Sequence, residues 1–475
     1  MEGMTGGPLD LLPELLLLLG AVGGLLLGLW TPQHQQARVR GLVVLAALAS
    51  AAVAAVDLAG PDTSVYGGAW VLDTTTGVVR ITVALATAAA VLLSATSLSG
   101  HPRETEAYVL MVLGALGAIA LAASGDLLML VAAYLLASVP LYALAGFAKD
   151  VRGVEATLKY YLMGALVGGL MLVGVAALVL AAGASGYPEL TAALPRAPMP
   201  VVAVGVIGVL AGVGFKAGAV PVHFWVPDVI AGTTPSVAAF ISTIPKLGAV
   251  AAAYRLLAEP FSGVALDVPL VVAVVAAVSM TLGNLAAFRQ TEVLRLLAYS
   301  TISQVGYLYM IVAVAARSDL AEPALAVYLA GYAVTNLGAF SAAAALPHAT
   351  TLTDWAAAAR RRPWLVLSLV VVLLGLVGTP PTAVFLGKVA AFSATADGGL
   401  GWLVVLAAVN TVASLFYYLR WIAPAARGEP ASAGQPVGTR PAAVAHAPAV
   451  TLHAAAAGSL LLGVGSGVWL AVVTS

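Results

Sequence analysis

Apolar runs of about 20 residues, the length a helix needs to cross a bilayer, recur along almost the whole chain with short polar joints between them. Fourteen such windows can be placed, near 12–31, 39–57, 79–98, 107–124, 126–147, 157–182, 200–221, 235–257, 266–288, 294–316, 322–346, 364–385, 400–421 and 449–472. Their length and continuity predict helices, because the strands of a membrane barrel alternate over roughly ten residues. The joint Ala123-Ser124-Gly125-Asp126 is very tight, and Asp126 is placed to cap the helix that follows. The longest polar interval, 423–448, is rich in Ala, Pro and Gly, which predicts an extended or weakly ordered linker. Windows 4–8 and 9–13 make two equal blocks of five. Blocks of five spans face opposite ways in a membrane, the arrangement of inverted-repeat transporters.

Composition agrees with the pattern. Of 475 residues, 61% are hydrophobic and 9% charged, against about 25% charged in a soluble domain. The chain is expected to be an all-α polytopic membrane protein. Its N-terminal stretch lacks the basic region of a cleaved signal peptide, so Leu12 to Leu27 is expected to begin a retained span. With no cysteine, disulfides, thiolate metal sites and cysteine-ligated clusters are excluded. Six scattered histidines argue against a haem or metal centre. A formal net charge of zero gives no argument for nucleic acid. No Walker motif, strand-linked GxGxxG, HExxH or nucleophile elbow occurs.

Basic residues supply an orientation. The joints after windows 1, 3, 5, 9, 11 and 13 hold Arg38, Arg40, Arg103, Lys149, Arg152, Arg289, Arg295, Arg360, Arg361, Arg362, Arg420, Arg427 and Arg440, thirteen of the chain's 21 Lys and Arg. The positive-inside rule puts those joints in the cytoplasm and both termini outside it.

Against this apolar background three lysines stand out: Lys216, Lys246 and Lys388, each well inside a window. Insertion of such a cation at mid-membrane costs about 2.5–3.5 kcal/mol or more. Lys216 lies five residues before Pro221, Lys246 directly follows Pro245, and Lys388 follows Pro380-Pro381. A helix broken by proline exposes polar backbone that must face protein or a wet cavity, and an amine beside it can be received there. Lysine, unlike arginine, can give up its proton when desolvated. The bland alternative is an amine that snorkels to the interface as a topological anchor.

Other polar residues fall near these three. His223 suits a relay or an interfacial position beside Trp225, and Asp228 a relay or an anchor for its joint. Glu155 and Lys159, four apart, share a helix face as an ion pair, either structural or tuning the lysine. Ser242, Thr243, Ser300, Thr301, Ser303, Gln304, Tyr307, Asn336 and Asn410 could support ordered water or act as interhelical glue. Gly164 and Gly168 have the spacing of a helix-packing device. From these residues the reading is ion or proton translocation by a helical bundle, with a purely structural membrane subunit as its rival.

Five segments then carry a family resemblance: VEATLKYYLMGAL (154–166), the long run 214–249 that opens GFKAGAVPVHFW, GNLAAFRQTEVLRLLAYSTISQVGY (283–307), YAVTNLGAF (332–340) and GTPPTAVFLGKVAAF (378–392). The chain resembles the antiporter-like membrane subunits, subunit N among them, of proton-pumping NADH:quinone oxidoreductase (respiratory complex I), and more broadly the subunits of Mrp cation/proton antiporters. The resemblance implies about 14 transmembrane helices in two inverted five-helix repeats, with helices 7 and 12 broken. It implies a three-helix segment at 1–100, antiporter-like halves at 101–257 and 258–422, a cytoplasmic loop at 423–448 and a last helix at 449–475. It further implies that Lys216, Lys246 and Lys388 belong to a central hydrophilic axis in a bacterial cell membrane. NADH and quinone would be used by partner subunits, with no cofactor in this chain, and the partners would be other antiporter-like and small helical subunits. One departure stands against the family pattern: where a glutamate is usual in window 5, this chain has Leu135 beside Tyr134. Leu294 and Gln304 likewise stand where a lysine and a histidine are common. The alternatives carried forward are a Na⁺/H⁺ antiporter subunit of Mrp type and a divergent paralogue that couples but pumps poorly.

Overall fold

The computed structural model describes residues 6–427 and 444–465, which are helical almost throughout. In chain order the helices are α1 (Leu12–Trp30), α2 (Ala37–Asp57), α3 (Thr74–Leu98), α4 (Glu104–Ala123), α5 (Leu127–Leu136), α6 (Val139–Ala145), α7 (Val151–Ala182), α8 (Tyr187–Ala193), α9 (Met199–Ala217), α10 (Trp225–Gly232), α11 (Pro235–Ala258), α12 (Val268–Ala287), α13 (Val293–Val312), α14 (Ala321–Ala345), α15 (Leu352–Ala359), α16 (Pro363–Val377), α17 (Ala383–Asp397), α18 (Gly401–Arg427) and α19 (His446–Val464). A small antiparallel hairpin, β1 (Thr63–Val65) and β2 (Trp70–Leu72), fills the joint between α2 and α3, with Ser64 opposite Val71.

Among the described residues twelve helical stretches are long and apolar enough to cross a membrane, with α5 and α6 counted together. The remaining two of the fourteen sequence windows fall on α13 and on the α16–α17 pair. Helix α11 is buried along its whole apolar window and α14 nearly so, whereas α1, α2, α7, α18 and α19 bury a third or less of theirs. The bundle is therefore built around α11 and α14, with apolar outer faces such as Leu158, Leu162 and Leu166 of α7 left for lipid or neighbouring subunits. Small residues let the inner helices meet closely: a Cβ on Gly248 of α11 would fall 2.0 Å from the Ala118 carbonyl of α4.

Buried arginines clamp one end of the bundle. Arg80 of α3 donates to both Glu14 oxygens at 2.7 and 2.9 Å. Arg255 of α11 pairs with Asp73 at 2.8 Å and also donates to the Ala122 carbonyl at 3.1 Å. Asp73 in turn caps α3 by accepting from Thr76 N at 2.8 Å. Asp126 caps α5 as expected, accepting from Leu128 N and Met129 N.

Several boundaries differ from the sequence windows. Window 5, expected to be continuous, is interrupted at Ala137–Ser138, where Pro140 starts a new helix. Window 7 stops at Ala217, and its continuation resumes as α10. Window 12 is broken between Val377 and Ala383, at the expected prolines. Helix α18 runs on to Arg427 and α19 begins at His446, so the expected linker 423–448 is shorter at both ends; its 428–443 portion, and the end of the last window, lie outside the described residues.

Candidate functional site

The stretch that ends α9 explains its own break. Gly218 adopts φ +80°, the left-handed region that closes helices without a Cβ penalty. Its amide and that of Ala219 both return to the Gly214 carbonyl, at 2.8 and 2.9 Å. Pro221 then prevents helix from resuming, and the Val220 amide is taken by Ser279 Oγ at 3.0 Å. Carbonyls at the helix end are left without intrahelical donors, and buried side chains fill that role: Trp225 Nε1 donates to Phe215 O at 2.9 Å and Lys246 Nζ to Ala217 O at 2.7 Å.

The end of α16 is built the same way. Gly378 has φ +89°, Thr379 N returns to Leu374 O at 3.1 Å, and Pro380-Pro381 follows. Here Gln304 Nε2 donates to Leu376 O at 2.7 Å and Lys388 Nζ to Val377 O at 2.9 Å. Both breaks carry a Gly-x-x-Pro sequence, 218–221 and 378–381. The interruption between α5 and α6 completes the set: Ser138 Oγ donates to Tyr134 O at 2.6 Å, and Lys216 Nζ to Ala137 O at 3.1 Å. Each of the three amines thus ends on the carbonyl terminus of an interrupted helix, where the summed peptide dipoles favour a cation.

The rest of their surroundings is aromatic and uncharged. The Lys216 amine lies 5.3 Å from the Tyr134 ring centre and 5.8 Å from that of Tyr160, Lys246 lies 5.7 Å from Trp225, and Lys388 lies 3.8 Å from Tyr307, distances at which a ring face attracts a cation. Lys216 and Lys246 are 0% exposed and Lys388 3%, so none reaches a bilayer face to snorkel. Among the described residues none of the three makes an ion pair, whereas the buried Arg80 and Arg255 both do.

A polar face of α14 joins α11 to α13. Tyr328, Tyr332 and Asn336 recur every four residues, all fully buried. Tyr328 OH donates to Gln304 Oε1 at 2.9 Å, Tyr332 OH to Ser242 O at 2.8 Å, and Asn336 Nδ2 to Thr243 Oγ1 at 2.8 Å and Ser242 Oγ at 3.3 Å. At the other end Lys388 also donates to Thr411 Oγ1 at 3.3 Å, which in turn donates to Tyr307 OH at 3.1 Å. Thr301 is buried and bonded back to Ala298 O at 2.8 Å, in the manner of helix glue. Asn410 accepts from Asn284 at 2.9 Å. His223 is buried within the α9–α10 break, and its Nδ1 has no protein partner among the described residues.

Glu155 and Lys159 stand elsewhere. They pair at 2.7 Å on an outer face of α7, both substantially exposed, and Lys159 also reaches Asp228 at 2.7 Å. Arg295 shares Asp228 at 3.2 Å, and with Arg152 and Glu292 these side chains line a surface cleft of about 220 Å³. Leu135, at the position of the family's glutamate, is 50% exposed and turned outward, while Tyr134 turns inward to Lys216. Sequence reasoning missed Tyr134, Tyr160, Trp225, Tyr328, Tyr332 and Thr411. The four-residue recurrence of polar groups along α14 was the available signal for two of them.

Residues 124–414 match the family model described as NADH:quinone oxidoreductase/Mrp antiporter, TM. The chain is 53% identical over 467 residues to NADH-quinone oxidoreductase subunit N 1 of Streptomyces griseus, covering 98% of each. It superposes with TM-score 0.80 and 30% identity on a chain of respiratory complex I from Thermus thermophilus, covering 97% of this chain and 98% of that one. A chain of the Mrp complex from Dietzia gives the same TM-score at 21% identity, covering 98% and 95%, a likeness of fold alone.

Proposed function

The chain belongs to the NADH:quinone oxidoreductase/Mrp antiporter family of membrane subunits, and from that premise we propose that it is a proton-translocating membrane-arm subunit of a bacterial NADH:quinone oxidoreductase. It carries no redox group of its own; NADH and quinone are handled by partner subunits, whose reaction supplies the energy. It sits in the cell membrane with both termini outside the cytoplasm, α13 and the α16–α17 pair bringing its crossings from twelve to fourteen. Residues 101–257 and 258–422 act as its two halves, a division supported by the repeated Gly-x-x-Pro breaks.

The observation that carries this reading is the set of three buried lysines without a carboxylate, each held by the open carbonyl end of a broken helix. Neutral partners let an amine exist in both protonation states, which a tight ion pair prevents. A proton enters from the cytoplasmic side toward Lys246, crosses along Thr243, Asn336, Tyr332, Tyr328 and Gln304, and reaches Lys388 before release outside. Ser303 and Tyr307 flank that route on α13, and His223 flanks its first half. Lys216 lies one residue from the carbonyl that holds Lys246, and charge on one amine would disfavour charge on the other. Glu155 and Lys159, with Asp228, serve the route from the surface cleft as its charged mouth.

Replacing Lys216, Lys246 and Lys388 singly with alanine in the assembled enzyme, and measuring protons moved per electron, tests the proposal. A lowered ratio is expected in each. An unchanged ratio in all three leaves only a structural subunit, and Na⁺-dependent flux without NADH oxidation marks an antiporter of Mrp type instead.

A further inference from the structure

The second half holds a polar column that meets the lateral route only at its Gln304 and Ser303 end. It lies in the seam of α12, α13 and α18. From the end that the proposed topology puts in the cytoplasm, it begins at Trp421, whose ring meets Trp355 of α15 edge-on at 5.5 Å. One turn along α18 is Tyr417, its ring 4.3 Å from that of Tyr418. The Tyr418 hydroxyl is 2.5 Å from Ser300 Oγ on α13. One turn further along α13 comes Gln304, which holds the Leu376 carbonyl beside the one held by Lys388. These six side chains are buried to 1% exposure or less.

Three polar atoms in this seam have no protein partner among the described residues: Trp421 Nε1, Ser303 Oγ and Asn284 Oδ1, while the Tyr417 hydroxyl meets that of Tyr418. Ser303 and Asn284 stand toward the Lys388 end of the seam and Trp421 at the other. A buried donor or acceptor left bare costs about 1–3 kcal/mol, and protein interiors meet such groups with bound water. Three in one seam point to one file of ligands rather than to three separate accidents. The outer end is closed by Trp355, itself fixed by donating Nε1 to Ala342 O at 2.9 Å.

We propose that this seam binds a file of water molecules, and that the Tyr418 hydroxyl relays protons along it between the cytoplasmic side and Lys388. In each transfer the phenol oxygen accepts a proton from the Tyr417 side as its own proton passes toward Ser300. The ring stays neutral and no charge is stranded in the seam. The inference rests on the reading of Lys388 as a proton carrier, and gives that lysine a second approach besides the lateral one.

Two measurements on the intact, assembled enzyme test it. Radiolytic hydroxyl-radical footprinting marks side chains beside bound water even when they are buried. Tyr417 and Trp421 are expected to be modified several-fold faster than Tyr108, which is equally buried but hydrogen-bonded to Glu104. In Tyr418→Phe, which keeps the ring and removes the hydroxyl, protons moved per electron are expected to fall, though less far than in Lys388→Ala because the lateral approach remains, with NADH oxidation retained as the sign of assembly. Ser300→Thr, which keeps a hydroxyl, is expected to hold the wild-type ratio. Modification of Tyr417 and Trp421 no faster than of Tyr108, or a wild-type ratio in Tyr418→Phe, overturns the proposal. A wild-type ratio in Lys388→Ala overturns the transport reading itself and the relay with it, whatever the footprint.

Discussion

At the scale of single residues, what the three amines touch separates charge from proton lability. Lys246→Arg keeps the cation and can still reach the Ala217 carbonyl, but guanidinium does not deprotonate in proteins. Assembly and NADH oxidation are therefore expected to survive in that variant while protons per electron fall, as checked by paired oxidation and acidification traces. The glycines at the breaks are equally specific. A Cβ on Gly218 would lie 2.6 Å from Lys246 Nζ, and one on Gly378 2.8 Å from Lys388 Cδ, both at positive φ. Left-handed backbone alone costs an L-residue about 1–2 kcal/mol, so Gly218→Ala and Gly378→Ala are each expected to lower the thermal midpoint of the assembled enzyme and the proton yield together. The lysines were legible in the sequence because a cation in an apolar run is costly to insert. Tyr134, Tyr160 and Trp225 were not, because an aromatic in a membrane helix costs nothing until its ring is seen against an amine. Leu135 shows the same limit: its identity was readable, but its outward direction is set by how α5 packs, which the sequence does not display.

At the scale of elements, hydropathy located the spans, and proline with a neighbouring lysine located the breaks of windows 7 and 12, but the same signal at Pro245-Lys246 marks no break, because α11 runs through it. The interruption at Ala137–Ser138 escaped because Pro140 sits in an apolar run, at a position a continuous kinked helix would also tolerate. The hairpin at 63–72 and helix α15 escaped because short elements in a joint carry too few residues to show a period. Packing between long helices gives a clean test. Gly174 of α7 and Gly208 of α9 face one another, and a Cβ on either would lie 2.7 Å from a carbonyl oxygen of the opposite helix. Gly169, on the same helix α7, has nothing within 4 Å of such a Cβ. Gly174→Leu is expected to force α7 from α9 and deplete the subunit from purified enzyme. Gly169→Ala should be neutral or stabilise by roughly 0.5–1 kcal/mol, the helix-propensity gain over glycine. Native gels and thermal melts of the two variants side by side distinguish close packing from a general intolerance of the helix.

At the scale of the whole molecule, buried charge among the described residues is sorted by type: arginines carry carboxylates at one end of the bundle, and lysines sit without ion pairs along its middle. The paired arginines hold the frame within which the unpaired amines change state, and the Asp73–Arg255 clamp shows how. Burial works to raise the Asp73 carboxyl, but the adjoining Arg255 guanidinium and its hydrogen bonds outweigh that and hold it below the ordinary carboxylate value. A carboxyl lowered on folding contributes stability above its unfolded pKa, about 3.9, and loses it as pH falls through the lower folded value. Asp73→Asn keeps an acceptor to cap α3 but leaves Arg255 with the longer Glu259 contact at 3.5 Å as its one ion pair among the described residues, beside the neutral Ala122 carbonyl and Thr76 hydroxyl. Removing one partner of such a buried pair costs about 3 kcal/mol. The thermal midpoint of Asp73→Asn is therefore expected below wild type at neutral pH, with the gap constant down to about pH 4 and closing only in stronger acid. A gap that closes between pH 8 and 6 instead would assign the clamp's strength to a histidine or lysine, and would remove the division between structural arginines and working lysines on which the placement of the proton route depends.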